Sequence, residues 1–137
     1  MKKLLTLALA IFMLCGTVLP IFAAENEITP FYNNTMRTTA RFNIDESGLS
    51  SMTLMYVGYP TLATSATVIT KIQKKVSNSW CDVDGASWQD EFEGIRGTVD
   101  RDFQLDSRGQ YRLVYEFNIR GTGGSNDIIS STIETEY

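Results

Sequence analysis

The sequence predicts an all-β fold, a single antiparallel β-sandwich of about seven strands. Beyond the N-terminal region no stretch shows helical periodicity, and the chain is rich in the Thr, Val, Ile, Tyr and Phe residues that are typical of strands. Turn-forming residues (Gly, Pro, Asn, Asp and Ser) separate these segments at regular intervals. Because no helix is predicted that could cover a parallel sheet, the pattern favours two antiparallel sheets packed face to face.

Residues 1–23 are typical of a cleaved secretory signal peptide. Lys2 and Lys3 precede an apolar run, and small residues follow it immediately before Glu25. We expect cleavage after Ala23, with cleavage after Ala24 as the alternative. The apolar run is interrupted by a glycine and a proline, and it is marginal for the roughly 20 residues that a membrane-spanning helix needs. A retained membrane anchor is therefore the weaker interpretation, and we expect a secreted, extracellular product.

Removal of the signal peptide leaves residues 24–137, a length typical of one domain. Residues 24–37 are polar and are predicted to form a partly disordered lead-in, so the sandwich itself is expected over 38–137. The formal charge of the chain is −4, and it becomes more negative when Lys2 and Lys3 are removed. An acidic domain has no electrostatic attraction to nucleic acid or anionic lipid, and we expect neither nucleic-acid binding nor stable membrane insertion.

The strand predictions rest on alternation of apolar and polar side chains. The clearest strand covers residues 111–120, where Val114 is the one apolar residue on the polar face. Its core face is predicted to carry Tyr111, Leu113, Tyr115, Phe117 and Ile119. Four further strands are predicted over 39–44, 51–59, 66–76 and 127–137. In the first of these, Ala40, Phe42 and Ile44 share one face. In the third, Val68, Ile72 and Val76 share one side.

The stretch from Asn78 to Trp88, with the sequence NSWCDVDGASW, contains both tryptophans of the chain. The polar loop Ser77–Ser79 between two apolar segments predicts a β-hairpin, and Trp80 then begins the return strand. The Asp-Gly pair at residues 84–85 is predicted to form a second turn, so that the tryptophans lie at the two ends of a short strand and loop. We expect Trp80 to pack in the core. For Trp88 core packing and ligand contact are equally open.

The same stretch begins an acidic series that partly matches a calcium-binding loop. If Asp82 were the first ligand of an EF-hand loop, acidic residues would also fall at its third, ninth and twelfth positions. However, Ala86 at the fifth position offers no side-chain ligand, Ser87 replaces the glycine of the sharp turn, and no flanking helices are predicted. We therefore expect solvated acidic loops, with no metal site and no cofactor. A looser calcium site within residues 82–106 is the alternative.

The composition argues against catalysis. The chain contains no histidine, which excludes the Ser-His-Asp triad and histidine-ligated zinc and removes the usual general base near neutral pH. The glycine-rich segment 120–127 lacks the Lys-Ser/Thr pair of a phosphate-binding loop. We expect no catalytic residues and no enzymatic activity. Cys81 is the only cysteine that remains after signal cleavage, and we expect it to be a free thiol on a strand.

Several short motifs together resemble a family of small exported proteins of Gram-positive bacteria, namely KIQKKV, NSW, SW, GQYRL and ETEY. The resemblance covers residues 37–137, and it implies secretion and an immunoglobulin-like β-sandwich, a domain of unknown function without an assigned active site. Gly109-Gln110-Tyr111 also resembles the tyrosine corner of such sandwiches, in which the tyrosine hydroxyl bonds to the preceding connection. The paired cysteines of antibody domains are missing, since Leu113 occupies the position of the second.

Two classes of function remain after these exclusions. The first is an extracellular interaction module that binds a protein or a glycan through exposed aromatic side chains, because aromatic rings provide contact area and stack on sugars. The candidate ligand-binding residues are Trp88, Trp80, Tyr56 and Tyr59. The alternative is a secreted effector or bacteriocin-like factor that acts on neighbouring cells, although an acidic chain without an amphipathic helix argues against membrane lysis.

Overall fold

The computed structural model describes residues 31–137, which form seven β-strands connected by short turns. The strands are β1 (Thr35–Ile44), β2 (Leu49–Gly58), β3 (Ala63–Val76), β4 (Ser79–Glu93), β5 (Arg96–Gln104), β6 (Gln110–Gly121) and β7 (Asp127–Glu136). One sheet has three strands in the order β1-β2-β5, the other has four in the order β4-β3-β6-β7, and every pairing is antiparallel. The predicted all-β sandwich is confirmed.

The core lies between the two sheets and is built from alternate residues of their strands. The central strands β2, β3 and β6 contribute most of the side chains that are at most 1% exposed, which include Met52, Leu54, Tyr56, Val68, Ile72, Leu113, Phe117 and Ile119. The predicted core face of β6 is confirmed, with Tyr111 also buried and Tyr115 half-buried against the core. On β3 the predicted core side holds for Val68 and Ile72, whereas Val76, the last residue before the hairpin turn, is 49% exposed.

The hairpin between β3 and β4 closes with the two-residue turn Ser77-Asn78. Both residues have positive φ angles, 47° and 73°, which is the pattern of a type I′ turn. Val76 and Ser79 pair directly across it. Because a type I′ turn matches the twist of the flanking strands, this short loop fixes the register at this end of the sheet. The hairpin predicted from the polar loop is confirmed.

β4 continues through the predicted second turn, and that prediction is wrong. Lys71 pairs with Ser87 and Gln73 with Asp82, so the four residues 83–86 of β4 lie opposite Ile72 alone. Gly85 supplies the positive φ angle, 73°, that this bulge requires. The Asp-Gly pair therefore bends the strand without ending it, because pairing with β3 resumes on both sides.

The connection from β5 to β6 is fixed by Tyr111. Its side chain is 2% exposed, and its hydroxyl donates a hydrogen bond of 2.5 Å to the backbone carbonyl of Ser107. This is the tyrosine contact that the sequence resemblance implies, and it is confirmed. Gly109 and Tyr137 then exchange two backbone hydrogen bonds, of 3.0 and 3.1 Å, which extend the pairing of β6 with the end of the chain.

The start of β1 is held by a buried carboxylate at the start of β7. Asp127 is 5% exposed and accepts four hydrogen bonds of 2.7–2.8 Å, from the backbone amides of Asn33, Asn34 and Thr35 and from the Thr35 hydroxyl. Burial would raise the pKa of Asp127, but these hydrogen bonds outweigh burial and hold the pKa below its usual value. The carboxylate thereby ties the first strand to the last.

β1 begins at Thr35, inside the segment that the sequence predicts as a lead-in. Asn34 is fully buried, and its side-chain amide donates to the carbonyl of Ser125 while its oxygen accepts from the amide of Gly123. The predicted domain boundary at residue 38 is therefore too late. Further along β1, Phe42 is buried and Ala40 and Ile44 pack against the core, as predicted.

The signal-peptide prediction and the first residues of the lead-in lie outside the described residues. Over residues 31–137 the structure contains no helix long and apolar enough to cross a membrane.

Candidate functional site

The four aromatic side chains predicted as ligand contacts do not form one site. Tyr56 is fully buried, and its hydroxyl donates a hydrogen bond of 3.0 Å to the carbonyl of Gly94. Burial, together with the nearby Glu93 carboxylate, raises the pKa of Tyr56. Its prediction as a ligand contact is wrong, because alternation along the central strand β2 turns this ring into the core. Tyr59 is 39% exposed and lies before β3, whereas Trp80 lies after β3. The 14 residues of β3 therefore separate Tyr59 from Trp80.

Trp88 packs against the core and joins the edges of the two sheets. Its ring meets the ring of Phe103 edge to face with centroids 5.7 Å apart, and the guanidinium of Arg101 lies 4.9 Å from its centroid. Arg101 also donates two hydrogen bonds, of 3.0 and 3.1 Å, to the carboxylate of Asp90. Phe103 and Arg101 belong to β5 and Trp88 to β4, so the cluster closes the gap between the sheets. Of the two interpretations left open for Trp88, packing fits this geometry.

Trp80 lies on the solvent side of the four-stranded sheet, outside the hydrophobic core, and the prediction that it fills the core is wrong. Eight residues apart, Trp80 and Trp88 would share a face of a regular strand. The bulge opposite Ile72 inserts an odd number of extra residues and so places the two rings on opposite faces of the sheet. The guanidinium of Arg112 lies 4.5 Å from the centroid of Trp80, and the ammonium of Lys75 lies 5.8 Å from it.

A row of hydrogen bonds beside Trp80 crosses three strands. Arg112 Nε donates to Gln73 Oε1 at 2.7 Å, and Gln73 Nε2 donates to Asp82 Oδ1 at 2.5 Å. Lys71 Nζ lies 3.2 Å from the same oxygen of Asp82. The hydrogen bonds from Gln73 and Lys71 hold the pKa of Asp82 below its usual value, so the carboxylate stays charged at neutral pH. The row fixes the guanidinium that stacks on Trp80, which orients the indole.

Apolar side chains occupy the middle of the same surface. Ile69 is 41% exposed and lies diagonally across from the half-buried Val114 of β6, because Ile69 pairs with Glu116 and Lys71 with Val114. Ile128 is 61% exposed and lies further along the same face, where it pairs with Asn118. A shallow depression of about 170 Å³ lies here, lined by Ile69, Lys71, Val114, Tyr115, Glu116 and Ser130. We call this surface the outer face and define it by the outward residues Trp80, Gln73, Arg112, Ile69, Val114 and Ile128. Contiguous exposed apolar residues rimmed by polar ones, such as Ile69 with Val114, are typical of surfaces that bind other molecules.

Cys81 is exposed on β4, next to Trp80, and is a free thiol. The acidic residues that partly matched an EF-hand loop lie on a continuous strand instead of a loop between helices. Asp82 and Asp90 are each engaged by a basic side chain, at 3.2 and 3.0 Å. In the part of the chain that the structure describes, no three His, Cys, Asp or Glu side chains come together in a way that could hold a metal ion.

The fold and this surface define a seven-stranded antiparallel β-sandwich with an aromatic and apolar face on its larger sheet. No protein-family model matches the chain, and no curated protein matches it significantly in sequence.

Val114, the one apolar residue on the polar side of its strand, is the feature of the sequence that indicates the outer face. The hydrogen-bonded row from Arg112 to Asp82 could not be predicted from the sequence, because it depends on the registers of the β3–β4 and β3–β6 pairs.

The two tryptophans should respond differently to truncation. Trp88→Ala removes a ring that packs on Phe103 and Arg101, and we expect it to lower the free energy of unfolding by about 2–4 kcal/mol. Trp80→Ala removes an outer ring held mainly by two cations, and we expect a loss of about 1 kcal/mol or less. Urea denaturation of both variants measures the difference. A loss for Trp80→Ala equal to that for Trp88→Ala would contradict this assignment.

Proposed function

We propose that the protein is a secreted, non-catalytic interaction module that binds an extracellular protein through the outer face of its four-stranded sheet. The observation that carries this proposal is the exposed Ile69 next to Val114, on the same face as the exposed Ile128 and a tryptophan held in place by a hydrogen-bonded row. An apolar patch on a rigid sheet loses little conformational entropy on binding, and its burial is favourable. The absence of histidine from the sequence further supports a binding function over a catalytic one.

The proposal includes an immunoglobulin-like class for the sandwich. Two features support it. The sheet order β1-β2-β5 opposite β3-β6-β7 corresponds to strands A, B and E opposite C, F and G of immunoglobulin domains, with β4 added beside β3. The Tyr111 hydrogen bond to Ser107 has the geometry of a tyrosine corner at the connection where such domains carry it. The motifs that resemble exported Gram-positive proteins agree with this class, and the N-terminal pattern supports secretion.

A protein partner fits the outer face better than a glycan does. Sugars stack on the open face of an aromatic ring, but the ring of Trp80 already carries Arg112 at 4.5 Å. The depression beside Ile69 is shallow and its lining is mainly apolar, which suits side chains of a protein surface. Tyr59, the other exposed aromatic candidate, lies at the far end of β3 and adds no second stacking ring to this surface.

Binding to bacterial surfaces distinguishes the proposed function from the alternatives. Labelled protein is added to Gram-positive cells, to the same cells after protease treatment, and to purified cell walls stripped of protein. We expect binding to untreated cells and a strong reduction after protease. Equal binding to stripped walls would indicate a glycan ligand, and killing of bystander cells would indicate an effector; either result would overturn the proposal of a protein-binding module.

A further inference from the structure

The middle of the edge strand β7 lacks the features that usually prevent a sheet edge from pairing with another strand. Such features are bulges, prolines and charged side chains along the edge. β1 has a register irregularity near Thr35, β4 carries the bulge at Gly85, and β5 carries four charged residues among its nine. β7 pairs with β6 without a register shift, and its segment 128–133, IISSTI, contains no charged residue, glycine or proline.

The hydrogen-bonding groups at this edge can be assigned from the β6–β7 register. Gly109 and Tyr137 exchange both of their backbone hydrogen bonds, and such pairs alternate with non-bonded pairs along an antiparallel ladder. The odd-numbered residues of β7 therefore direct their amides and carbonyls to β6. Ile128, Ser130, Thr132 and Glu134 direct theirs to the open edge, where the described residues provide no strand partner. These groups form a template for one more antiparallel strand.

We propose that this template binds a second copy of the chain, with β7 paired antiparallel to β7 around Ser131. In this register Ile129 lies opposite Ile133 of the second copy, and Ile133 opposite Ile129, so both isoleucine pairs meet on the core side. Ile128 lies opposite Glu134 and Ser130 opposite Thr132, so no two carboxylates face each other across the joint. In this register, residues whose amides and carbonyls point to the open edge also lie opposite one another. This gives four residue pairs across the joint, and each pair can exchange two hydrogen bonds.

The two four-stranded sheets would then form one continuous sheet, with the outer faces of both copies side by side. Pairing over residues 128–134 alone is a small interface, below the roughly 1,000 Å² typical of stable complexes, so the dimer should dissociate on dilution. The register involves Ile128 and Ser130 at the rim of the outer face, but not Trp80, Ile69 or Val114. The dimer is carried by the backbone groups of β7 and the proposed partner binding by the side chains of the outer face, so each can be tested by variants that leave the other unchanged.

Cysteine cross-linking tests the register. With Cys81 replaced by serine, Ser131→Cys places two thiols opposite each other at a Cα separation of about 4.5 Å, within the range of a disulfide. Mild oxidation should therefore give a covalent dimer. The matched control, Thr135→Cys in the same background, lies on the same strand and face, but its copy is about 27 Å away in this register, since strands rise about 3.4 Å per residue. Cross-linking of both variants to the same extent, or of neither, would overturn the proposal.

Sedimentation equilibrium tests the association without a covalent bond. Thr132→Pro removes an amide that points to the open edge, so the hydrogen bonds to β6 remain and the melting temperature should change little. We expect the dimer dissociation constant to rise at least tenfold in this variant and to change little in Thr132→Val. A wild-type protein that stays monomeric up to millimolar concentration would contradict the inference, as would a proline variant that dimerises normally.

Discussion

Phe117→Ala is expected to lower the free energy of unfolding by about 3–5 kcal/mol. Phe117 is fully buried on the central strand β6, and its ring meets the ring of Tyr115 edge to face with centroids 5.7 Å apart. Truncation removes apolar contacts from both sheets and leaves a cavity that the rigid strands cannot fill. For a domain of this size, such a loss corresponds to a fall in melting temperature of more than about 10 °C.

Phe31→Ala is the matched control, because Phe31 is 93% exposed and precedes the first strand. Its free energy of unfolding should stay within about 0.5 kcal/mol of the wild type. Urea denaturation of the three proteins gives the comparison. A Phe117→Ala protein as stable as the Phe31→Ala protein would contradict the assignment of the β6 core face.

Asp127→Ala is expected to cost about 2–4 kcal/mol at neutral pH. The substitution leaves the buried amides of Asn33, Asn34 and Thr35 without their acceptor, and a buried donor without a partner is destabilising. The start of β1 should detach first, which amide hydrogen exchange can measure at Thr35. Asp102→Ala, which removes an exposed carboxylate from β5, is the control and should be close to neutral.

The same carboxylate predicts an acid dependence of stability. The folded protein holds the pKa of Asp127 below its usual value, so its stabilising contribution is complete above about pH 4 and is lost as the pH falls through the folded pKa. The difference in melting temperature between wild type and Asp127→Ala should therefore shrink on acidification. Asp45 also has a lowered pKa, through hydrogen bonds from Ser47 and the Leu49 amide, and is present in both proteins. A difference that stays constant down to pH 2 would contradict this role of Asp127.

The sequence predicted those parts of the fold that depend on local pattern. Alternation placed Leu113 and Phe117 in the core, and the Ser-Asn loop predicted the hairpin turn. The bulge in β4 could not be predicted in this way, because Asp-Gly is also typical of a true turn and only the pairing with β3 distinguishes the two. That one feature places Trp80, which was expected in the core, on the outer face, while Trp88 packs against the core.

The remaining features depend on contacts between distant parts of the chain. Asp127 binds the backbone of residues more than 90 positions earlier, and a polar Asn-Asn-Thr segment carries no sign of this burial. The row from Arg112 through Gln73 to Asp82 exists only because two registers place these side chains together. The sequence shows Val114 as an exception to the alternation of β6. However, only the strand pairing shows that Val114 shares its face with the exposed residues Ile69 and Ile128.

Binding measurements on two double variants test the central claim most directly. Ile69→Lys with Val114→Lys alters the outer face, while Ser51→Lys with Thr53→Lys adds the same charge to exposed positions on the outer side of the three-stranded sheet. Both proteins must first melt close to the wild type. We expect binding to untreated Gram-positive cells to fall at least tenfold for the first variant and to stay within twofold for the second. Equal binding by both would contradict a docking role for the outer face.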